Sequence, residues 1–193
     1  MKLNSGILGG TFDPVHIGHI RIAESFLRSR VIDKLLVLPA PAPPHKKGQD
    51  RTSFEDRLKM LRIAFQDHEN VEVSDLELQL PEPSYTIRTI KHLQKTYPDV
   101  NWYLCLGEDS LVDFHKWYKS KEILKRVPLL VAERPGFDSQ SIHQEILNRT
   151  IFVEHDPVDV SSTGIRETVQ INGIVNEVPA RVGEYIMEKG LYK

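Results

Sequence analysis

Two histidines, His16 and His19, stand three residues apart in the stretch GGTFDPVHIGHIRIAESFL, which runs from Gly9 to Leu27. Two adjacent glycines, Gly9 and Gly10, precede them, and a pattern of helical period follows, with Ile20, Ala23 and Leu27 at i, i+3 and i+7. Imidazoles at this spacing around a helix start can turn to one face and offer ring N–H donors to one anion. Glycines between a strand and a helix let backbone amides approach a phosphate, and the helix N-terminus adds partial positive charge there. The chemistry indicated is capture of a phosphoryl group, and Gly18, between the histidines, leaves room for a nucleotide. The ordinary alternative is a strand-to-helix turn that carries two surface histidines.

A second constellation lies far along the chain, in DVSSTGIRE from Asp159 to Glu167. Ser161, Ser162 and Thr163 open a helix, where hydroxyls and free amides together suit phosphate oxygens, and Arg166 one turn on reaches the same oxygens. A plain Ser/Thr helix cap followed by a surface arginine fits the same letters. No serine has an evident base beside it, and the single cysteine, Cys105, sits in the apolar run WYLCLG as a small buried hydrophobe, so no covalent intermediate is expected. His45, His68, His92, His115, His143 and His155 form no pair at metal-ligand spacing, and no zinc site is expected.

The elements that must position these residues follow from the hydrophobic pattern. Short β-favouring runs, LNSGIL, KLLVLP, VEV, WYLCL, PLLVA and IFVEH, alternate with helical segments, which is the signature of βαβ units and a mostly parallel sheet. Phe54, Leu58, Leu61 and Phe65 make an apolar stripe behind a capping box of Thr52 and Glu55. Ser84 is placed to cap the helix through YTIRTIKHLQKTY, and Val178 to Leu191 reads as a terminal helix. PAPAPPHKKGQD, from Pro39 to Asp50, has no periodicity and reads as a loop after the second strand, at the sheet edge where open parallel sheets bind ligands.

Composition sets the outer bounds. A chain of 193 residues suits one α/β domain over 1–193, with no internal repeat and no shift in composition. A net charge of −2, from 25 basic and 27 acidic residues, makes no global field for nucleic acid or anionic lipid, so an anion must be captured locally. One cysteine fits a reducing cytoplasm. No apolar run reaches the roughly 18 residues of a membrane span, and no secretory leader is evident at the start, so neither nucleic acid nor membrane is an expected partner. A homo-oligomer is left open.

GGTFDPVHIGH resembles the signature of the nucleotidyltransferase superfamily that carries an H-x-G-H motif, and DVSSTGIRE resembles its second signature. LPAPAPPHK, PSYTIRT, LGEDSLVDFHKW, VAERPG and the closing LYK are similar to motifs of one family within it, the bacterial nicotinate-nucleotide adenylyltransferases, so the resemblance covers essentially the whole chain. It implies a Rossmann-like, doubly wound α/β fold, its mostly parallel sheet covered by helices on both faces. The implied reaction joins the 5′-phosphate of nicotinate mononucleotide to the α-phosphorus of ATP, giving nicotinate adenine dinucleotide and pyrophosphate. His16, His19 and Arg166 are then catalytic. Gly9, Gly10, Thr11, Gly18, Gly107, Asp109, Arg134, Ser161, Ser162 and Thr163 hold ATP. Lys46, Thr86, Trp117 and Tyr118 hold the mononucleotide, Trp117 by stacking on the pyridine ring and the amides near Thr86 and Tyr118 by receiving its carboxylate. Mg2+ arrives on the ATP phosphates, without a protein cage. At the level of single residues other roles compete: a helix N-cap for Asp109, core filler for Trp117, solvated loop charges for Lys46 and Lys47. The chain departs from the common family pattern at Glu108 and Gly164.

Three other functions fit parts of the pattern. A phosphopantetheine adenylyltransferase shares both signatures but tends to be shorter and to lack PSYTIRT and FHKW. A class I aminoacyl-tRNA synthetase fragment shares HIGH but needs a K-M-S-K-S-type loop and a tRNA-binding domain, and neither is present. A non-enzymatic nucleotide sensor on the same fold is expected to lose His19 or Arg166, whereas both are here.

Overall fold

The computed structural model describes residues 2–41, 52–133 and 139–193. The six β-favouring runs become six strands: β1 (Leu3–Gly10), β2 (Lys34–Pro39), β3 (Val71–Val73), β4 (Val100–Gly107), β5 (Leu129–Glu133) and β6 (Thr150–Glu154). They pair in the order β3-β2-β1-β4-β5-β6, and every pairing is parallel. The chain steps outward from β1 to β3, then returns to lay β4 on the other side of β1. The carboxyl ends of β1 and β4 therefore flank the point where strand order reverses, the crevice that doubly wound sheets use for ligands.

Side-chain alternation along the strands shows why both faces must be covered. Ile7, Leu36, Leu38, Leu104, Leu106, Leu129 and Val131 belong to one buried cluster, while their strand neighbours Leu8, Leu35, Val37, Cys105, Leu130 and Ala132 belong to the other. The first face is packed by α3 (Thr86–Thr96), α4 (Glu108–Asp113) and α5 (Ser120–Arg126), through residues such as Ile90, Leu111 and Ile123. The second is packed by α1 (Ile17–Arg28), α2 (Phe54–Phe65) and α8 (Ala180–Lys189), through Phe26, Leu61 and Ile186. The short α6 (Gln144–Leu147) and α7 (Ser162–Asn172) complete the α-helices of the described residues. No helix among these residues is long and apolar enough to cross a membrane.

Two expected caps are corrected. The cap of α2 is Ser53, one residue after Thr52: its hydroxyl accepts the Asp56 N–H at 3.0 Å and donates to the Asp56 carboxylate at 2.7 Å. Because α2 opens at Phe54, the same S/T-x-x-acid spacing is read one step later, and Thr52 instead turns its carbonyl to Arg57 Nε at 3.3 Å. Ser84 does not cap α3, whose N-cap is Tyr85 without a side-chain bond. The expected terminal helix is α8, closed by Gly190 in the left-handed conformation at φ 62°. Of the Pro39–Asp50 loop, Pro39 ends β2 and only Ala40 and Pro41 are among the described residues beyond it.

The centre of the sheet is tight at Gly6, where a Cβ would lie 2.6 Å from Cys105 Sγ, 2.7 Å from Ile32 Cδ1 and 2.9 Å from Leu35 Cδ1. All three neighbours are buried, so none can swing away. Gly6→Ala is expected to destabilise the protein by about 1–3 kcal/mol through overpacking. A urea unfolding midpoint equal to that of the parent protein would contradict this packing.

Candidate active site

A cleft opens at the switch point, lined by Gly9, Gly10 and Thr11 after β1, Ala40 after β2, and Leu106, Gly107 and Ser110 around the end of β4. Its far wall is made by Tyr85, Thr86, Trp117 and Tyr118. Tyr85 and Tyr118 stack with ring centroids 4.3 Å apart and 30° between planes, and Trp117 packs on Phe114 at 5.5 Å. Trp117 is thus both a partner of the core and part of the cleft wall. With no side chain capping α3, the first amides of that helix, starting at Thr86, are left for another acceptor. Asp109 is the second residue of α4 and is exposed; the N-cap there is Gly107.

The histidine turn follows directly. His16 is the N-cap of α1 and is 8% exposed; its backbone N–H donates to His19 Nδ1 at 3.2 Å. That bond leaves the proton of a neutral His19 ring on Nε2, so the ring presents one donor of fixed identity. The two rings lie 3.7 Å apart between centroids, tilted by 34°. Burial lowers the pKa of His16 to about 4, and burial with the neighbouring His16 lowers that of His19 to about 3. Both rings are therefore neutral at physiological pH, and His16 Nδ1 is buried with no protein partner among the described residues. The space provided by Gly18 is shared with the protein itself, since a Cβ there would sit 3.0 Å from Val160 Cγ1 and 3.1 Å from His16 Nδ1.

The distant second motif is fastened to this turn. Arg166 Nη1 donates to the Asp13 carbonyl at 2.7 Å, and the Ser162 hydroxyl donates to the Pro14 carbonyl at 2.8 Å. Ser161 caps α7 by accepting the Gly164 N–H at 3.0 Å, and Arg166 Nη2 donates to Thr163 Oγ1 at 3.2 Å. The structure thus brings together His16, His19, Ser161, Ser162, Thr163 and Arg166 around one turn, beside the cleft edge formed by Gly9, Gly10 and Thr11. Lys46 and Arg134 lie outside the described residues.

Four residues of this neighbourhood were not singled out by sequence reasoning. Phe12, at φ 51° and 3% exposed, fills the space over Gly10 and meets the His19 ring edge-on at 4.9 Å. Tyr192 donates its hydroxyl to Asp13 Oδ1 at 2.7 Å, so burial and that carboxylate hold its pKa well above the usual phenol range. Glu77 lines the cleft and accepts from the Thr89 hydroxyl at 2.9 Å; its burial raises the carboxyl's pKa. Arg57, 2% exposed, donates to carbonyls at the ends of both β1 and β2. Only Arg57 carried a usable signal, a charge set among Phe54, Leu58 and Leu61 on the apolar face of its helix.

Residues 7–168 match the cytidylyltransferase-like family model. A protein of Synechococcus sp. (strain JA-3-3Ab), named "Probable nicotinate-nucleotide adenylyltransferase", is 39% identical over 97% of this chain and 93% of its own length. The nicotinate-nucleotide adenylyltransferase of Bacillus subtilis (strain 168) is 34% identical over 97% of each chain. The fold is shared with Plasmodium falciparum nicotinic acid mononucleotide adenylyltransferase complexed with NaAD, at a TM-score of 0.80 and 19% identity over 98% of this chain and 97% of that one. With the histidine turn, the serine-arginine turn and near-complete coverage by such relatives in agreement, this chain belongs to the nicotinate-nucleotide adenylyltransferase family, within the cytidylyltransferase-like fold.

Proposed function

We propose that this protein transfers the adenylyl group of MgATP to nicotinate mononucleotide, as the names of its relatives indicate. The observation that carries the reading is the joining of the two motifs at the switch point: Arg166 on the Asp13 carbonyl sets a permanent cation beside two neutral imidazole donors. A 5′-phosphate oxygen of the mononucleotide attacks the α-phosphorus, forming the new O–P bond. The bond from that phosphorus to the β-bridging oxygen breaks, and pyrophosphate leaves with the electron pair. The protein's work in such a transfer is positioning and charge stabilisation.

In this reading His19 Nε2–H and the ring of His16 meet the oxygens of the transferring group, and Arg166 meets those of the leaving pyrophosphate. Ser161, Ser162 and Thr163, with the amides that open α7, receive the β- and γ-phosphates. Gly9, Gly10, Thr11, Gly18, Gly107 and Asp109 border the rest of ATP. Trp117 stacks on the pyridine ring, and the amides near Thr86 and Tyr118 receive its carboxylate. Lys46 on the acceptor side and Arg134 on the adenine side complete the proposed set. Hydroxyls, an arginine and backbone amides are donors for anions, so Mg2+ is carried by phosphate oxygens and water; when bound it neutralises phosphate charge. The chain's 193 residues act as one catalytic domain.

The test is steady-state kinetics with MgATP and each mononucleotide, following pyrophosphate release. A carboxamide would turn its NH2 group toward an amide donor. At roughly 1–3 kcal/mol for each unpaired buried group, two such contacts give about a hundredfold or greater preference in kcat/KM for the nicotinate form. A ratio near one sinks the acceptor assignment, and no pyrophosphate from either sinks the reaction. His19→Ala should lower kcat by about 10²–10³ with a much smaller change in KM, as expected for a donor used in the transition state; normal turnover would remove its role.

The lowered histidine pKa values give a pH prediction with a definite sign. In the unfolded chain both rings titrate near their ordinary value of 6.5, and in the folded protein near 4 and 3. Below about pH 6.5 the unfolded chain binds more protons, so the contribution of these rings to stability is complete above that pH and is lost as pH falls toward the folded values. Turnover should show no histidine step between pH 5.5 and 8. His19→Asn should make the loss of stability between pH 6.5 and 5 shallower by about one proton, and equal slopes for the variant and the parent would contradict a neutral His19.

A further inference from the structure

Arg57 is a buried charge that the proposed reaction leaves unused, and it stands directly behind the cleft. Its Nη1 donates to the Thr11 carbonyl at 2.7 Å and to the Ala40 carbonyl at 3.0 Å, and its Nε to the Thr52 carbonyl at 3.3 Å. The guanidinium also lies 5.5 Å from the centre of the Phe54 ring. Thr11 and Ala40 are the first residues beyond β1 and β2, and both line the cleft. Their two loops are tied a second time by the Ala40 N–H, which donates to the Gly10 carbonyl at 2.8 Å.

The geometry points to Arg57 as a positioning residue that orients the backbone donors of the phosphate site. In a trans peptide the C=O and N–H point in opposite directions. With the Thr11 carbonyl held on Arg57, the Phe12 N–H is aimed away from α2. With the Gly10 carbonyl held on Ala40, the Thr11 N–H is aimed away from β2. Ala40 is followed by Pro41, which has no N–H, so an unoccupied Ala40 carbonyl would meet an anion with no neighbouring donor to offset it. Arg57 occupies it, and its charge sits behind the loop that an anion approaches. A planar guanidinium can serve three carbonyls in fixed directions, whereas a lysine ammonium keeps the charge and loses the fork.

This inference rests on the proposed adenylyl transfer and concerns the ATP side of the site. Arg57→Lys is expected to raise KM for ATP, and KM for pyrophosphate in the reverse reaction, by about tenfold, while KM for nicotinate mononucleotide stays within about twofold. A purely structural arginine would act differently, since loss of folded protein lowers apparent kcat and leaves every KM unchanged. Unchanged KM values for ATP and pyrophosphate, or an equal rise for the mononucleotide, would overturn the role. Should the variant not fold, the Arg57 Nε–H resonance of the unsubstituted protein gives the answer: magnesium pyrophosphate is expected to slow its exchange with solvent, and no change overturns the role. The unsubstituted enzyme run in parallel separates the two failures. If it makes no dinucleotide, the functional reading falls; if it does and Arg57→Lys shows no selective effect, only the positioning role falls.

Discussion

The hydrogen bond from Arg166 to the main-chain carbonyl of Asp13 spans 153 residues of sequence, and the geometry of the site depends on it. Asp13 takes a second long-range bond at its carboxylate, from Tyr192, and the next carbonyl, that of Pro14, takes a third from Ser162. The backbone N–H of Ile17 donates to the Glu177 carbonyl at 2.9 Å, so the far end of the chain grips the histidine turn on both sides of His16. Inside this grip Phe12 is held at a positive φ that costs about 1–2 kcal/mol. Burial of its ring, roughly 1.5–3 kcal/mol, offsets that cost, and the result is a turn that places an aromatic edge against His19.

A consequence of the same packing is a division of labour between charge and direction. Two imidazoles whose centroids lie 3.7 Å apart cannot both be cations in a desolvated turn, and burial keeps both neutral. They supply direction, His19 through one proton whose location is set by the His16 backbone. The charge comes from arginines, which stay protonated whatever their surroundings. Arg166 is half buried at the edge of the turn, and Arg57 is enclosed behind the loop. In the proposed reading an arriving anion therefore finds fixed positive charge without a proton having to be taken up first.

Much of the fold was legible because it is written in periods. The six strands could be found from apolar runs, and their parallel pairing from the helices between them. The two glycine-flanked motifs were legible because their residue types are few and their spacing is short. What was not legible is contact between distant positions. Tyr192, Glu77 and Phe12 are ordinary residues in sequence, and only the fold brings them to Asp13, Thr89 and His19. The misplaced caps have a local cause: Thr52 with Glu55 and Ser53 with Asp56 satisfy one spacing equally, and only the first helical turn decides between them. Gly18 shows the same limit, for a glycine in sequence says that space is needed and not whose atoms fill it.

The position of the cleft also explains why its two ends differ in chemistry. On one sheet face, β1 and β4 send their ends toward α3 and α5, and the wall there is aromatic, with Tyr85, Trp117 and Tyr118. On the other, the β1 loop runs into α1 and meets α7, which brings hydroxyls and a guanidinium beside the cleft edge. The strand order separates these two surroundings, because it reverses between β1 and β4 and thereby sends the segments that follow them to different layers. Gly9, Gly10 and Gly107 stand where those layers part, and backbone rather than side chain lines the cleft there.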